Sequence, residues 1–161
     1  MIKKFNLLLL SLFKIGKIKY APGTIASLFT CLLFLFIQNY FNLFIIFIFT
    51  SIIFIYSLLA INISYKTFES NDPQEVVIDE FVGQMLPLLA IPIYETLYPA
   101  PKILYCFLAF ILFRLFDIWK PFPISYIDNN TKDALGIMLD DIVAGFFAVI
   151  ILIIVFFFLG G

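Results

Sequence analysis

Three groups of carboxylates interrupt long apolar runs in this chain: Asp79-Glu80, Asp117 and Asp140-Asp141. Charge in such surroundings is costly to keep, so acids placed there are functional candidates by default. Arg114 stands three residues before Asp117, a spacing that lets the two pair on one helix face, and Lys120 follows about one turn later. Asp79 and Glu80 have no cation nearby in sequence to offset them. Adjacent helical residues are about 100° apart, which predicts that only one of that pair faces a shared site squarely. Carboxylate oxygens are hard ligands that suit Mg²⁺, an ion that keeps several waters and bridges to phosphate oxygens. Arg and Lys bind the remaining phosphate oxygens and stabilise transition-state charge. The pattern therefore predicts phosphoryl chemistry, with Asp79, Glu80, Asp117, Asp140 and Asp141 as Mg²⁺ ligands and Lys120 beside them. Simpler roles stay open for single members: Arg114–Asp117 also fits a structural ion pair, and Asp140 a helix N-cap. Glu69, Asp72, Glu75, Glu95, Asp128 and Asp133 read as solvated loop or cap residues.

A second element adds to this set. In Lys17-Ile18-Lys19-Tyr20-Ala21-Pro22-Gly23-Thr24-Ile25-Ala26-Ser27, Gly23 ahead of a helix start lets an anion approach free backbone donors. Thr24 and Ser27 supply hydroxyls and Lys19 supplies charge; alone, this is an ordinary way to begin a helix. The chain has no histidine, which excludes Ser-His-Asp hydrolysis, His-based phosphatases and His-ligated zinc. Cys31 and Cys106 lie singly in apolar runs and read as packing residues. A net charge of −1 carries no basic field for nucleic acid.

The elements that must position these residues belong to a membrane. Of 161 residues, 63% are hydrophobic and only 13% charged, and a soluble domain of this length cannot hide so much apolar surface. No formal charge occurs in the 46 residues between Lys19 and Lys66, nor in the 20 after Asp141. A crossing needs about 20 such residues, so these runs hold two crossings and one. The expected fold is one all-α domain over 1–161, an integral membrane bundle of four to five apolar helices with a short interfacial helix at Met1–Leu12. Its apolar segments are Thr24–Ile37, Phe41–Ser64, Pro73–Ile91, Ile103–Trp119 and Met138–Leu159. Asp72, Pro73 and Glu75 resemble a capping box opening the third, and Pro87 predicts a kink in it. Asp140-Asp141 would open the fifth, where the helix dipole favours them.

Five lysines precede the first crossing and put that end in the cytoplasm. Counting crossings then brings all three acidic groups to the cytoplasmic face. The third segment is the open step. Its uncharged stretch Phe81–Tyr94 has 14 residues, and re-entry instead of crossing would split the acids across the bilayer. Acids spread through the bilayer depth would instead favour a small transporter or ion-conducting protein using Asp79, Asp117 and Asp140 as a relay.

Four blocks of this sequence resemble the bacterial phosphatidylglycerophosphatase A family. They are Ala21-Pro22-Gly23-Thr24 with Ser27; Asp72-Pro73 with Val77-Ile78-Asp79-Glu80 and Gly83-Gln84; Phe113-Arg114-Leu115-Phe116-Asp117 with Lys120-Pro121 and Pro123; and Gly136-Ile137-Met138-Leu139-Asp140-Asp141 with Ala144-Gly145. They cover about Lys17 to Gly145, in the family's order. The resemblance implies a Mg²⁺-dependent lipid phosphatase of the inner membrane, hydrolysing phosphatidylglycerophosphate to phosphatidylglycerol and phosphate. It implies Asp79, Glu80, Asp117, Asp140 and Asp141 as site acids, with Lys120 and Arg114 as phosphate or structural partners. Ala26 and Asp133-Ala134-Leu135 depart from the family's glycines.

Overall fold

A computed structural model of the chain describes residues 2–64, 75–131 and 133–161. All regular structure among them is helical. The order is α1 (Ile2–Leu10), a 3-10 turn (Ile15–Lys17), α2 (Pro22–Ile37), α3 (Leu43–Ser64), α4 (Ile78–Leu89), α5 (Ile91–Leu97), α6 (Lys102–Trp119), α7 (Ile124–Asn130) and α8 (Ala134–Gly160).

Local chemistry sets most helix ends. The Ile45 N–H donates to Asn42 Oδ1 at 2.9 Å to start α3, and the Gly136 N–H donates to Asp133 Oδ1 at 2.9 Å to start α8. Each side chain satisfies a first-turn donor that the helix itself leaves orphaned. Pro22 opens α2, where its missing N–H would have had no partner. Within α2 the hydroxyls of Ser27 and Thr30 donate to the Gly23 and Ala26 carbonyls at 2.9 and 2.8 Å. Both polar groups are thereby satisfied inside an apolar helix.

Several expected boundaries move. The third segment becomes helical at Ile78 rather than Pro73, because the Val77 N–H donates to the Leu10 carbonyl at 3.0 Å and ties that stretch to α1. Capping by Asp72 and Pro73 falls outside the described residues, while Glu75 faces Lys17 at 3.4 Å. Asp79 and Glu80 consequently occupy the first turn of α4, where the dipole favours acids, rather than interrupting a helix already under way. The fifth segment starts at Ala134, not Met138, because Asp133 is its cap. Asp140 is therefore no N-cap. It lies about two turns in, beyond the reach of the dipole. The expected bend at Pro87 is displaced to Ala90, where α4 gives way to α5 with Pro92 in its first turn. Helix α7 occupies a stretch expected to be loop.

α4 and α8 approach most closely at glycines. A Cβ on Gly83 would come within 2.7 Å of the Asp141 carbonyl oxygen and 2.8 Å of the Phe113 ring, and Gly145 abuts the Gly83 carbonyl. Small residues allow backbones this proximity, which supplies the dispersion contacts that bind helices in lipid. At the opposite end Gly160 abuts the Leu97 carbonyl. α4 and α5 together therefore run beside α8 for roughly 30 Å, at about 1.5 Å per residue. α6 returns antiparallel to them. Its first turns place Tyr105 against Phe156 and Tyr94, all three fully buried, and its last turns carry Arg114 and Asp117 back to the Asp79 end. Cys31 and Cys106 are free and buried where α2 meets α6.

Leu43–Ile63 and Ala134–Gly160 are long and apolar enough to cross a membrane. Phe44, Phe49 and Ile55 on α3 and Phe146, Ile150 and Phe157 on α8 face outward, a larger apolar surface than water-facing proteins leave open.

Candidate active site

Where α2, α4 and α8 begin and α6 ends, the helices enclose a cavity of about 550 Å³. Asp79, Glu80, Asp117, Asp128, Asp140 and Asp141 line it, opposed by Lys19, Arg114 and Lys120, with Gly23 and Thr24 on the α2 side. All three acidic groups foreseen from sequence converge at one end of the bundle, not along its length as a relay would require.

Three acids form the centre. Asp79, Glu80 and Asp141 each offer a carboxylate oxygen, and these oxygens lie within 4.8 Å of one another. Both members of the adjacent pair thus face the cavity, where divergence had been expected. The cavity wraps the N-terminus of α4, so Asp79 meets Asp140 and Asp141 of α8 while the longer Glu80 turns toward Arg114 and Asp117. Glu80 Oε1 lies so close to Gly23 that a methyl group there would collide with it. The anion admitted by Gly23 is therefore the protein's own carboxylate. Glu80 Oε2 and Arg114 Nε are buried with no hydrogen-bond partner among the described residues. Three converging hard oxygens, beside a Glu80 oxygen that has no partner among the described residues, fit an oxygen-seeking divalent cation.

The other acids are engaged by cations. Arg114 Nη1 meets Asp117 Oδ2 at 2.6 Å and donates to Ser27 Oγ at 3.4 Å. Ser27 itself is fully buried and does not line the cavity. Its hydroxyl serves Gly23 and Arg114, which separates it from the phosphate-binding role expected for it. Lys120 Nζ sits 2.8 Å from Asp140 Oδ2 and 3.0 Å from Asp128 Oδ1. Burial works against the Lys120 ammonium, but its hydrogen bonds and charge interactions with Asp140 and Asp128 prevail and hold its pKa above the ordinary lysine value. Asp140 Oδ1 also accepts the Asp141 N–H at 3.0 Å. Lys19 stands exposed at the rim, its ammonium 5.5 Å from the Tyr20 ring centroid. Six carboxyl groups face three cations in the cavity, an excess of acids that a bound cation would offset.

Asp128 is the residue that sequence reasoning missed. It lies on α7, and the signal for that helix was Ile124 and Ile127 on one face directly after Pro123. Nothing in the spacing linked it to Lys120.

The family model for phosphatidylglycerophosphatase A matches residues 8–156. The chain belongs to the phosphatidylglycerophosphatase A family. A phosphatidylglycerophosphatase A from Haemophilus influenzae is 35% identical over 133 residues, covering 83% of this chain and 77% of that protein. The namesake from Escherichia coli is 40% identical over 75 residues, 47% of this chain and 40% of its own length. A Bacteroides thetaiotaomicron protein provisionally named as a phosphatidylinositol-3-phosphatase is 43% identical over 77 residues, covering 48% of this chain and 45% of that protein. No solved structure matches the chain. The family's four sequence blocks are the segments that build the cavity, from Gly23 to Asp141.

Proposed function

We infer that this cavity is the hydrolytic centre of a membrane-bound lipid phosphatase. The chain hydrolyses phosphatidylglycerophosphate to phosphatidylglycerol and phosphate, the reaction that names its family. The observation carrying the site is the meeting of six carboxylates and three cations, drawn from α4, α6, α7, α8 and the segment before α2, in one cavity.

Asp79, Glu80 and Asp141 would hold Mg²⁺, which when bound neutralises phosphate charge and orients the ester for in-line attack. Arg114 and Lys120 bind oxygens of the terminal phosphomonoester, with Asp117 and Asp140 fixing the positions of those two cations. Gly23 lets Glu80 reach the centre, and Lys19 and Thr24 stand where the head group arrives. Asp79 and Glu80 are also the groups able to orient the attacking water or to attack phosphorus directly. Isotopic oxygen tracing separates the two routes, since carboxylate oxygen reaches phosphate only in direct attack.

We place the cavity at the cytoplasmic face of the bacterial inner membrane. Lys3, Lys4, Lys14, Lys17 and Lys19 all precede α2 in the chain, and α2 begins at the cavity, in accord with the positive-inside tendency. α2, α3, α4–α5, α6 and α8 would be five crossings, with α1 lying in the interface. The joint length of α4 and α5 beside α8 favours a full crossing over re-entry.

The test is phosphate release by the purified protein from phosphatidylglycerophosphate in detergent micelles, with Mg²⁺ and with a chelator. Turnover that ignores the chelator removes the ion from this account. Phosphatidylinositol 3-phosphate in parallel measures head-group preference, and the family assignment predicts slower release from it.

A further inference from the structure

Lys120 has an unusual seat. It follows the last turn of α6 with φ at 46°, in the left-handed region, while its N–H donates to the Phe116 carbonyl at 2.8 Å. Glycine or asparagine normally takes such a C-terminal position, because a side chain with a Cβ is strained there. Lys120 is one of five non-glycine residues with positive φ among the described residues. Its side chain reaches across to two other helices, meeting Asp140 of α8 at 2.8 Å and Asp128 of α7 at 3.0 Å.

An ammonium carries three N–H donors and no acceptor. Two are taken by carboxylates on different helices, so the direction of the third is set by the positions of Asp128 and Asp140. Lys120, Asp128 and Asp140 all line the same cavity. Either carboxylate alone would leave the ammonium free to swing on its four-carbon stem. Asp140 is fixed independently, through the Asp141 N–H on its other oxygen. Asp128 is the less buried of the two, with its side chain 31% exposed against 10% for Asp140. An ion pair with both side chains about three-tenths exposed is partly screened by water and contributes modestly to folding, in keeping with a role in orientation.

We propose that Asp128 is a positioning residue for the hydrolysis, acting through Lys120 by aiming its remaining donor at the substrate phosphate. The proposal rests on the reading of this cavity as the hydrolytic centre. Asp128 touches no reacting atom; its effect passes entirely through the ammonium. Helix α7 then has a function beyond covering the cavity, since it carries the group that orients the cation.

The experiment is a double-mutant cycle on phosphate release from phosphatidylglycerophosphate, using wild type, D128N, K120A and D128N/K120A, with kcat and KM determined separately. D128N should lower kcat/KM about tenfold, the scale seen when the partner that orients a functional group is removed, and D128E should recover part of that loss. In the K120A background D128N should change nothing further. Equal losses from D128N in both backgrounds, or no loss in wild type, would overturn the proposal. Helical content and thermal unfolding in detergent accompany each variant; if D128N fails to fold, the same cycle is run with D128E, whose smaller loss must likewise vanish in K120A. Wild-type protein that releases no phosphate refutes the reading of the cavity, whereas an active wild type with additive variants refutes only the role of Asp128.

Discussion

Gly23→Ala is the sharpest perturbation of the site, because it adds one methyl group and no charge. Gly23 has no left-handed φ and lies in the first turn of α2, so alanine suits its backbone. What alanine cannot do is coexist with Glu80 in its present place. The new Cβ would collide with Glu80 Oε1, lie 2.9 Å from Glu80 Cδ and 3.3 Å from Arg114 Nη1. Reaching ordinary contact requires the carboxylate to retreat by about an ångström or more, a movement its flexible stem permits. Displacements near 1 Å at a reacting centre cost about a hundredfold in rate, or about 2.7 kcal/mol in the barrier. Folding should scarcely respond, since removing a helical glycine gains about 0.5–1 kcal/mol and partly offsets the crowding. The assay compares phosphate release with thermal unfolding for the purified variant. We expect kcat near one hundredth of wild type at an unfolding temperature within a few degrees. A folded G23A enzyme within about threefold of wild type would refute the claim that Glu80 works from the position Gly23 affords it.

Other perturbations separate the centre from the scaffold. Asp79→Asn and Asp141→Asn each remove one of three converging oxygens; turnover should fall about a thousandfold or more, with Mn²⁺ binding followed by electron paramagnetic resonance weakened in parallel. Gly83→Ala forces a Cβ against the rigid Asp141 backbone at 2.7 Å and should cost about 1–3 kcal/mol by overpacking, read as a lower unfolding temperature. Tyr105→Phe removes a hydroxyl that accepts the Ala100 N–H at 2.7 Å and donates to the Tyr98 carbonyl, at the end of the bundle away from the cavity. It should cost about 1–3 kcal/mol by stranding these groups, while kcat per folded molecule stays at the wild-type value.

The residue types and their spacing already specified a helical chain with a large apolar surface and the acids that gather in its cavity. Acids that break long uncharged runs demand a compensating partner, so Asp79, Glu80, Asp117, Asp140 and Asp141 stood out from pattern alone. Some helix ends were legible too: α2, α3 and α6 stop at Ile37, Ser64 and Trp119, where the expected segments stop. Ends governed by contacts from elsewhere were not. The start of α4 depends on a hydrogen bond from Val77 to Leu10, and α8 begins where Asp133, rather than Asp140, meets a backbone donor.

Tertiary packing alone decided the division of labour among the acids. Spacing along a chain cannot tell which carboxylate will find a cation: Asp117 meets Arg114 within its own helix, but Asp140 meets Lys120 from α6 and shares it with Asp128 from α7. The remaining three, Asp79, Glu80 and Asp141, are left facing one another because glycines at 23, 83 and 145 let α2, α4 and α8 approach closely. Sequence supplied the charges; the close approach of helices distant in the chain determined which of them met a cation and which were left facing one another.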